Sequence, residues 1–465
     1  MKVSKTYLLL TAILIALSFI NITSYTYAQQ KTEITSVNQL PRRSYTVKGT
    51  ALELIEDKAQ LNALCDQLIT NIKADLEKYD IKDKSTLAGY YASLQTLYFY
   101  KGDYDKVLEY IPIIKDLEAK TADKLLTGTF YNAYIKAIKT TGKTSGDELK
   151  QAFEKFYGEI YSNLPYNEIK ESVESSRGAL SIQNKEVIIG AVQSGLQPLL
   201  DNSKGVVPEA VPLQLISLRN FFDHRFAVKD QTLNVLNRVY EANNKSVKKI
   251  DIWEERKLLL SKDTKLSPVV VAVWDSGVDM SVFPKENRFV NSKEEINGRD
   301  DDGNGFVDDV NGIAYNLVDY KKAVNVLDSP EGRLKTDVKI LQKQTKGFLD
   351  LQSGIESSEV AELRKTMANL KREEVKDFQE EASFYSIFSH GTHVAGITAE
   401  GNPAVKVLAA RMGWDYHLLP ATPTIEKAKF TAQMYKDIVN YFKNNGVKVV
   451  NMSWRYNSAN YEGAL

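Results

Sequence analysis

VVVAVWDSGVD, residues 269–279, carries six apolar residues, Val269 to Trp274, directly into Asp275, Ser276 and Gly277. An unbroken apolar run rich in valine, without polar alternation, reads as a strand covered on both faces, the usual condition of a parallel sheet. The polar turn that ends it places Asp275 at the carboxyl edge, where α/β sheets gather their sites. Asp-Ser-Gly is also an ordinary turn. Its weight depends on a partner elsewhere in the chain.

The candidate partner lies in SHGTHVAGITAE, residues 389–400. Gly391, Ala395 and Gly396 permit close helix packing, and His390 is expected at the N-terminus of that helix, facing the sheet edge. A histidine base needs a carboxylate to fix its tautomer and stabilise its charged form, so an aspartate closing a buried strand and a histidine beside small residues form a pair. His393, one turn further on, is read as structural. A zinc site through the two histidines is disfavoured, because the His-Glu-x-x-His spacing is absent and Gly391 stands in the glutamate position.

These residues resemble the subtilisin-like serine proteases, the subtilases. Asp275-Ser276-Gly277-Val278-Asp279 looks like the family's aspartate motif, His390 to Gly396 matches its histidine motif, and NNGVKVVNMSW (444–454) is similar to its helix end and substrate-pairing strand. The resemblance covers residues 266–465. It implies an α/β fold: an N-terminal all-helical region followed by a partial subtilisin-like parallel-sheet domain with flanking helices. It further implies that Asp275 orients His390, that His390 serves as general base and then acid, and that Ser453, Trp454 and Arg455 lie along the substrate. Arg455 replaces a glycine usual in the family, so a bulky cation either narrows the pocket or favours acidic residues.

The family's nucleophile sits in a Gly-Thr-Ser-Met-Ala type segment, and no Gly-Thr-Ser occurs in the 465 residues. Its oxyanion-hole asparagine has no counterpart here either. Two readings stay open. One is a secreted serine endopeptidase whose serine segment lies beyond Leu465; the chain as given is then inactive. The other is a non-catalytic, protease-like protein with a helical protein-binding module. The intact Asp275 and histidine motif favour the first. No cofactor is required for catalysis in either.

RDDDGNGFVDDVNG, residues 299–312, matches the start of a calcium loop, with Asp300, Asp302 and Asn304, Gly305 at the sharp turn and Asp308 beyond. Asn311 stands where the closing glutamate would be. A structural calcium ion and an ion-free polar turn both fit, and Asp-rich loops after the aspartate motif of some subtilases tip the balance toward calcium. Residues 319–388 form an insertion, charged and helix-like from Arg333 to Glu381. It is expected as a solvated surface segment, with a lid or docking arm as alternatives.

Residues 29–250 read as helical. Thr50 and Glu53 match a capping box, and Leu54, Leu61, Leu64, Leu68, Ile72 and Leu76 repeat on one face. Cys65, the only cysteine, falls among them as a small core residue. Residues 90–110 resemble a tetratricopeptide-type helix pair around Gly102-Asp103, but no second clean copy occurs, which favours an antiparallel bundle. His224, within NFFDHRF, is expected to pack in the core rather than act as a base.

Residues 1–28 combine Lys2 and Lys5, an apolar run from Leu8 to Ile20, and Ala28 before Gln29, the order of a cleaved signal peptide. The expected location is secreted or periplasmic, with no membrane association after cleavage. Lys plus Arg and Asp plus Glu both number 60, so the bulk charge supplies no reason to expect a nucleic-acid partner. The expected partners are a protein or peptide substrate and a protein bound by the helical region.

Overall fold

The computed structural model describes residues 31–244, 255–257, 259–261, 265–419 and 424–455. The stretch expected to be a signal peptide, 1–28, lies outside the described residues. Residues 31–244 build a stack of helices: α1 (Ala51–Glu56), α2 (Lys58–Lys78), α3 (Lys84–Lys101), α4 (Tyr104–Leu117), α5 (Thr121–Leu126), α6 (Thr129–Thr141), α7 (Asp147–Ser162), α8 (Tyr166–Ile182), α9 (Lys185–Ser203), α10 (Ala210–Asn220) and α11 (Lys229–Asn244). Thr50 and Glu53 cap α1 reciprocally, with the Thr50 amide donating to Glu53 Oε2 at 2.8 Å. Leu61, Leu64, Leu68 and Ile72 of α2 are buried together with Cys65, and Leu76 is half-buried. Gly102, at φ +74°, ends α3 so that Asp103 caps α4 and closes a helical hairpin.

The region is helical, as expected, with two short strand pairs set among the helices. Strands β1 (Thr32–Ile34) and β3 (Tyr79–Ile81) pair in parallel, and β2 (Ser44–Thr46) and β4 (Val206–Pro208) antiparallel. Ile34, Ile81, Tyr45 and Val207 are buried in these pairs, so each short strand is held by one or two apolar side chains in the helical core rather than by strand length.

His224 sits in a π-turn, Phe221–Arg225, with its ring 4.6 Å from Phe99 and 5.4 Å from Tyr134. Burial pushes its pKa down to about 4. It is a packed aromatic neighbour, as expected.

The second region is a five-stranded sheet of β5 (Val269–Asp275), β6 (Gly312–Asn316), β7 (Lys321–Ala323), β8 (Val405–Gly413) and β9 (Val449–Asn451), ordered β7-β6-β8-β5-β9. All neighbours run parallel except β6 and β7. Alternate residues of β5 enter opposite layers. Ala272 and Trp274 face Met434, Ile438 and Phe442 of helix α15 (Ile425–Asn444), while Val271 and Val273 face Val407 and Ala395. Two-sided cover accounts for the unbroken apolar run. β9 differs: among the described residues it pairs only with β5, and Val449 and Val450 are 53% and 38% exposed. Among the described residues it is an edge strand of the sheet.

Three helices join β7 to β8: α12 (Val338–Gln352), α13 (Ser358–Asn369) and α14 (Val375–Ala399). Two expectations fail here. The insertion is not a solvated strip, because Leu351, Val360, Leu363, Met367 and Val375 form a buried cluster with Val187 of α9. Its charges line the outer faces of amphipathic helices, and the composition concealed the inner ones. Nor does His390 open a helix; it lies well inside α14, 25 residues long, since nothing between Val375 and Ser389 is a helix breaker.

Candidate active site

Asp275 is fully buried at the end of β5. Its Oδ1 accepts from the Ser276 amide at 2.7 Å and lies 2.7 Å from His390 Nδ1. A carboxylate oxygen accepts, so this contact suits the tautomer with the proton on Nδ1, which leaves the Nε2 lone pair free. With the histidine side chain 45% exposed and the aspartate at 0%, the ring is anchored from inside and reachable from outside. The pair therefore has the geometry of an oriented base.

Two further bonds join the motifs. The Gly391 amide donates to Ser276 Oγ at 3.0 Å, and the Asp279 amide to Thr392 Oγ1 at 2.9 Å. Gly277 adopts φ +127°, a conformation that disfavours any side chain. His393 is exposed and stands apart from the pair.

Arg411 was missed in the sequence. It pairs in register with Asp275 across β5 and β8, is 3% exposed, and donates through Nη1 to the Asn325 carbonyl at 2.8 Å. Asp328 lies 3.8 Å away, and burial lowers the guanidinium pKa against that attraction. Its aliphatic stem lies beside Gly277. The available signal was a cation, Arg411, following the apolar stretch Val407 to Ala410 within VKVLAARMG, 405–413. Buried charge marks a site or a structural anchor, and here it fastens the start of the insertion beneath the aspartate.

Ser453, Trp454 and Arg455 follow β9 in the chain. Ser453 Oγ donates to Asn451 Oδ1 at 2.9 Å, and Trp454 Nε1 to the Trp274 carbonyl at 2.6 Å, with the two indoles edge to face at 5.3 Å. Trp454 is thus fixed against the core, and Arg455 is exposed.

The four residues read as calcium ligands separate. Asp300 accepts from the Asn304 and Gly305 amides, and Asp308, at φ +54°, from those of Asn297 and Gly298. Both shape the loop. The carboxylates that converge are Glu294, Asp302 and Asp309, whose ligand oxygens lie within 4.8 Å of one another. Asn304 donates from Nδ2 to Asp309 at 3.1 Å, while its Oδ1 accepts from the Phe306 amide at 2.8 Å. Glu294 is 6% exposed, and its Oε2 has no hydrogen-bond partner among the described residues. Three carboxylates this close repel unless a cation neutralises them, and an all-oxygen set suits a hard one. Glu294 lies upstream of the Asp-rich run and Asp309 falls at an even loop position, so loop spacing could not have found them.

Residues 267–463 match the model of the Subtilase family (Peptidase_S8). No curated protein and no solved structure matches the chain.

Proposed function

We propose that the protein, whose residues 267–463 match the Subtilase family model, is an exported serine-type endopeptidase in which Asp275 and His390 are two members of the catalytic triad. The observation that carries this reading is the 2.7 Å contact from His390 Nδ1 to the buried Asp275 carboxylate, with the ring open to solvent. Nε2 takes the proton of a serine hydroxyl as it attacks the scissile carbonyl. The imidazolium formed is stabilised by Asp275, and it then protonates the leaving amine. Water repeats the sequence on the acyl-enzyme. No Gly-Thr-Ser segment that could supply that serine occurs in these 465 residues. The main chain at Ser453 to Arg455 lies along the peptide, and Arg455 either narrows the pocket or favours acidic side chains.

Glu294, Asp302 and Asp309 hold a structural calcium ion in this reading, with catalysis needing no cofactor. When bound, the ion supplies charge neutralisation. It fixes the loop between β5 and β6. Among the described residues, no helix is long and apolar enough to cross a membrane.

The deciding experiment compares the chain as given with one extended through the downstream reading frame. The extended form should hydrolyse casein, react with a serine-directed fluorophosphonate, and lose both properties on His390→Ala. The short form should show neither. In subtilisin itself, loss of the nucleophile costs about 10⁶-fold in turnover. An extended frame without a Gly-Thr-Ser segment, or one with no hydrolysis, would replace the enzyme reading with that of a protease-like binding protein.

A further inference from the structure

We infer that the helical region is a positioning element for His390, acting through the insertion and the single helix α14. The inference rests on His390 being the base. It concerns what holds that base in place.

Helix α14 is pinned at two ends. Near its C-terminal end, Gly391 and Thr392 bond to the aspartate motif of the sheet. Its other end lies against the helical region. Val375, the first residue, is fully buried, and a β-carbon at Gly190 of α9 would stand 2.7 Å from the Arg372 carbonyl and 2.7 Å from Val375 Cγ2. The same stretch of α9 supplies Glu186, which pairs with Arg372 at 2.8 Å, and Asn184, whose side-chain amide donates to the carbonyls of Met367 and Ala368.

A second seam supports the first. A β-carbon at Gly178 of α8 would stand 2.7 Å from the Leu351 carbonyl of α12, and Arg364 of α13 donates to Ser181 Oγ at 3.2 Å. The α12–α13 pair in turn braces α14 through the Phe348 and Phe378 rings, while Glu381 of α14 accepts from the Lys335 amide. The helical region, the hairpin and α14 therefore share one buried cluster.

Leverage comes from length. At about 1.5 Å per residue, Val375 and His390 are roughly 22 Å apart along the axis, so a tilt of about 5° at the far end displaces the histidine by about 2 Å. A displacement near 1 Å is enough to impair a catalytic group. The 2.7 Å bond to Asp275 would not survive it. A free N-terminal half of α14 would have nothing to set that tilt, and Gly190 sets it by letting two backbones meet.

The test uses the full 465-residue chain and the low-field proton resonance of His390 Nδ1–H bonded to Asp275, assigned by its loss in Asp275→Asn. Gly190→Ala should abolish or broaden this resonance. Gly195→Ala, on the same helix but with nothing within 4 Å of the added carbon, should leave it intact. Should Gly190→Ala fail to fold, Arg372→Ala carries the test and should speed exchange of this proton with water. An unchanged resonance in Gly190→Ala with a lowered melting temperature, or unchanged exchange in Arg372→Ala, overturns the inference and leaves the seam purely structural. Absence of the resonance from the wild type is a different failure: it removes the Asp275–His390 reading itself.

Discussion

Gly391 of α14 lies so close to Gly277 that a β-carbon on it would stand 2.2 Å from the Gly277 carbonyl oxygen. At this point the aspartate turn and the histidine helix meet backbone to backbone. This contact sets the approach of α14 to the sheet, and with it the distance from His390 to Asp275. Gly391→Ala must push the two apart, since backbone on both sides cannot yield as a side chain would. We expect a cost of about 1–3 kcal/mol in stability and loss of the low-field His390 resonance; in an active extended chain, kcat should fall more than KM rises. An alanine variant that melts like the wild type and keeps the resonance would show that the contact does not govern the pair.

The carboxylate cluster makes calcium a matter of stability. Binding to the folded state alone raises unfolding free energy by about 2.7 kcal/mol at a hundredfold excess over Kd. Melting curves in calcium and in chelator should therefore separate, and Glu294→Gln or Asp302→Asn should merge them. Coincident wild-type curves would remove the ion from the site.

Export predicts a defined N-terminus. Material recovered from the medium or periplasm should begin at Gln29 or a near neighbour, read by N-terminal sequencing or intact mass. A mature protein that still begins at Met1 would contradict the signal-peptide reading.

His224 supplies an acid limit. Burial lowers its folded pKa to about 4, below the ordinary value of 6.5, so the unfolded chain binds the proton more readily. Its contribution is fully present above about pH 6.5, is lost as pH falls toward 4, and is constant below that. The loss amounts to about 3 kcal/mol at most. His224→Phe should lose less stability than the wild type between pH 7 and 4, measured by denaturant unfolding; equal losses would place the acid sensitivity elsewhere.

Much of the site was legible in sequence because its chemistry is local. Asp275 closes an apolar run, His390 sits among small residues, and the Thr50–Glu53 cap and the leucines of α2 repeat at helical spacing; each is a short-range pattern that the chain imposes wherever it folds. The converging carboxylates were not legible, because Glu294, Asp302 and Asp309 meet only after the loop turns, while Asp300 and Asp308 spend their oxygens on the main chain. Arg411 was hidden for a related reason: its meaning comes from parallel register with Asp275, a partner far away in sequence. The charged insertion misled most. Its composition describes the outward faces, and only packing reveals that Gly178 and Gly190 admit it against the helical region. Residue types and spacing thus determined which groups can do chemistry. Tertiary structure decided which of them meet and what holds them there, because backbone approach and burial depend on segments that the sequence separates.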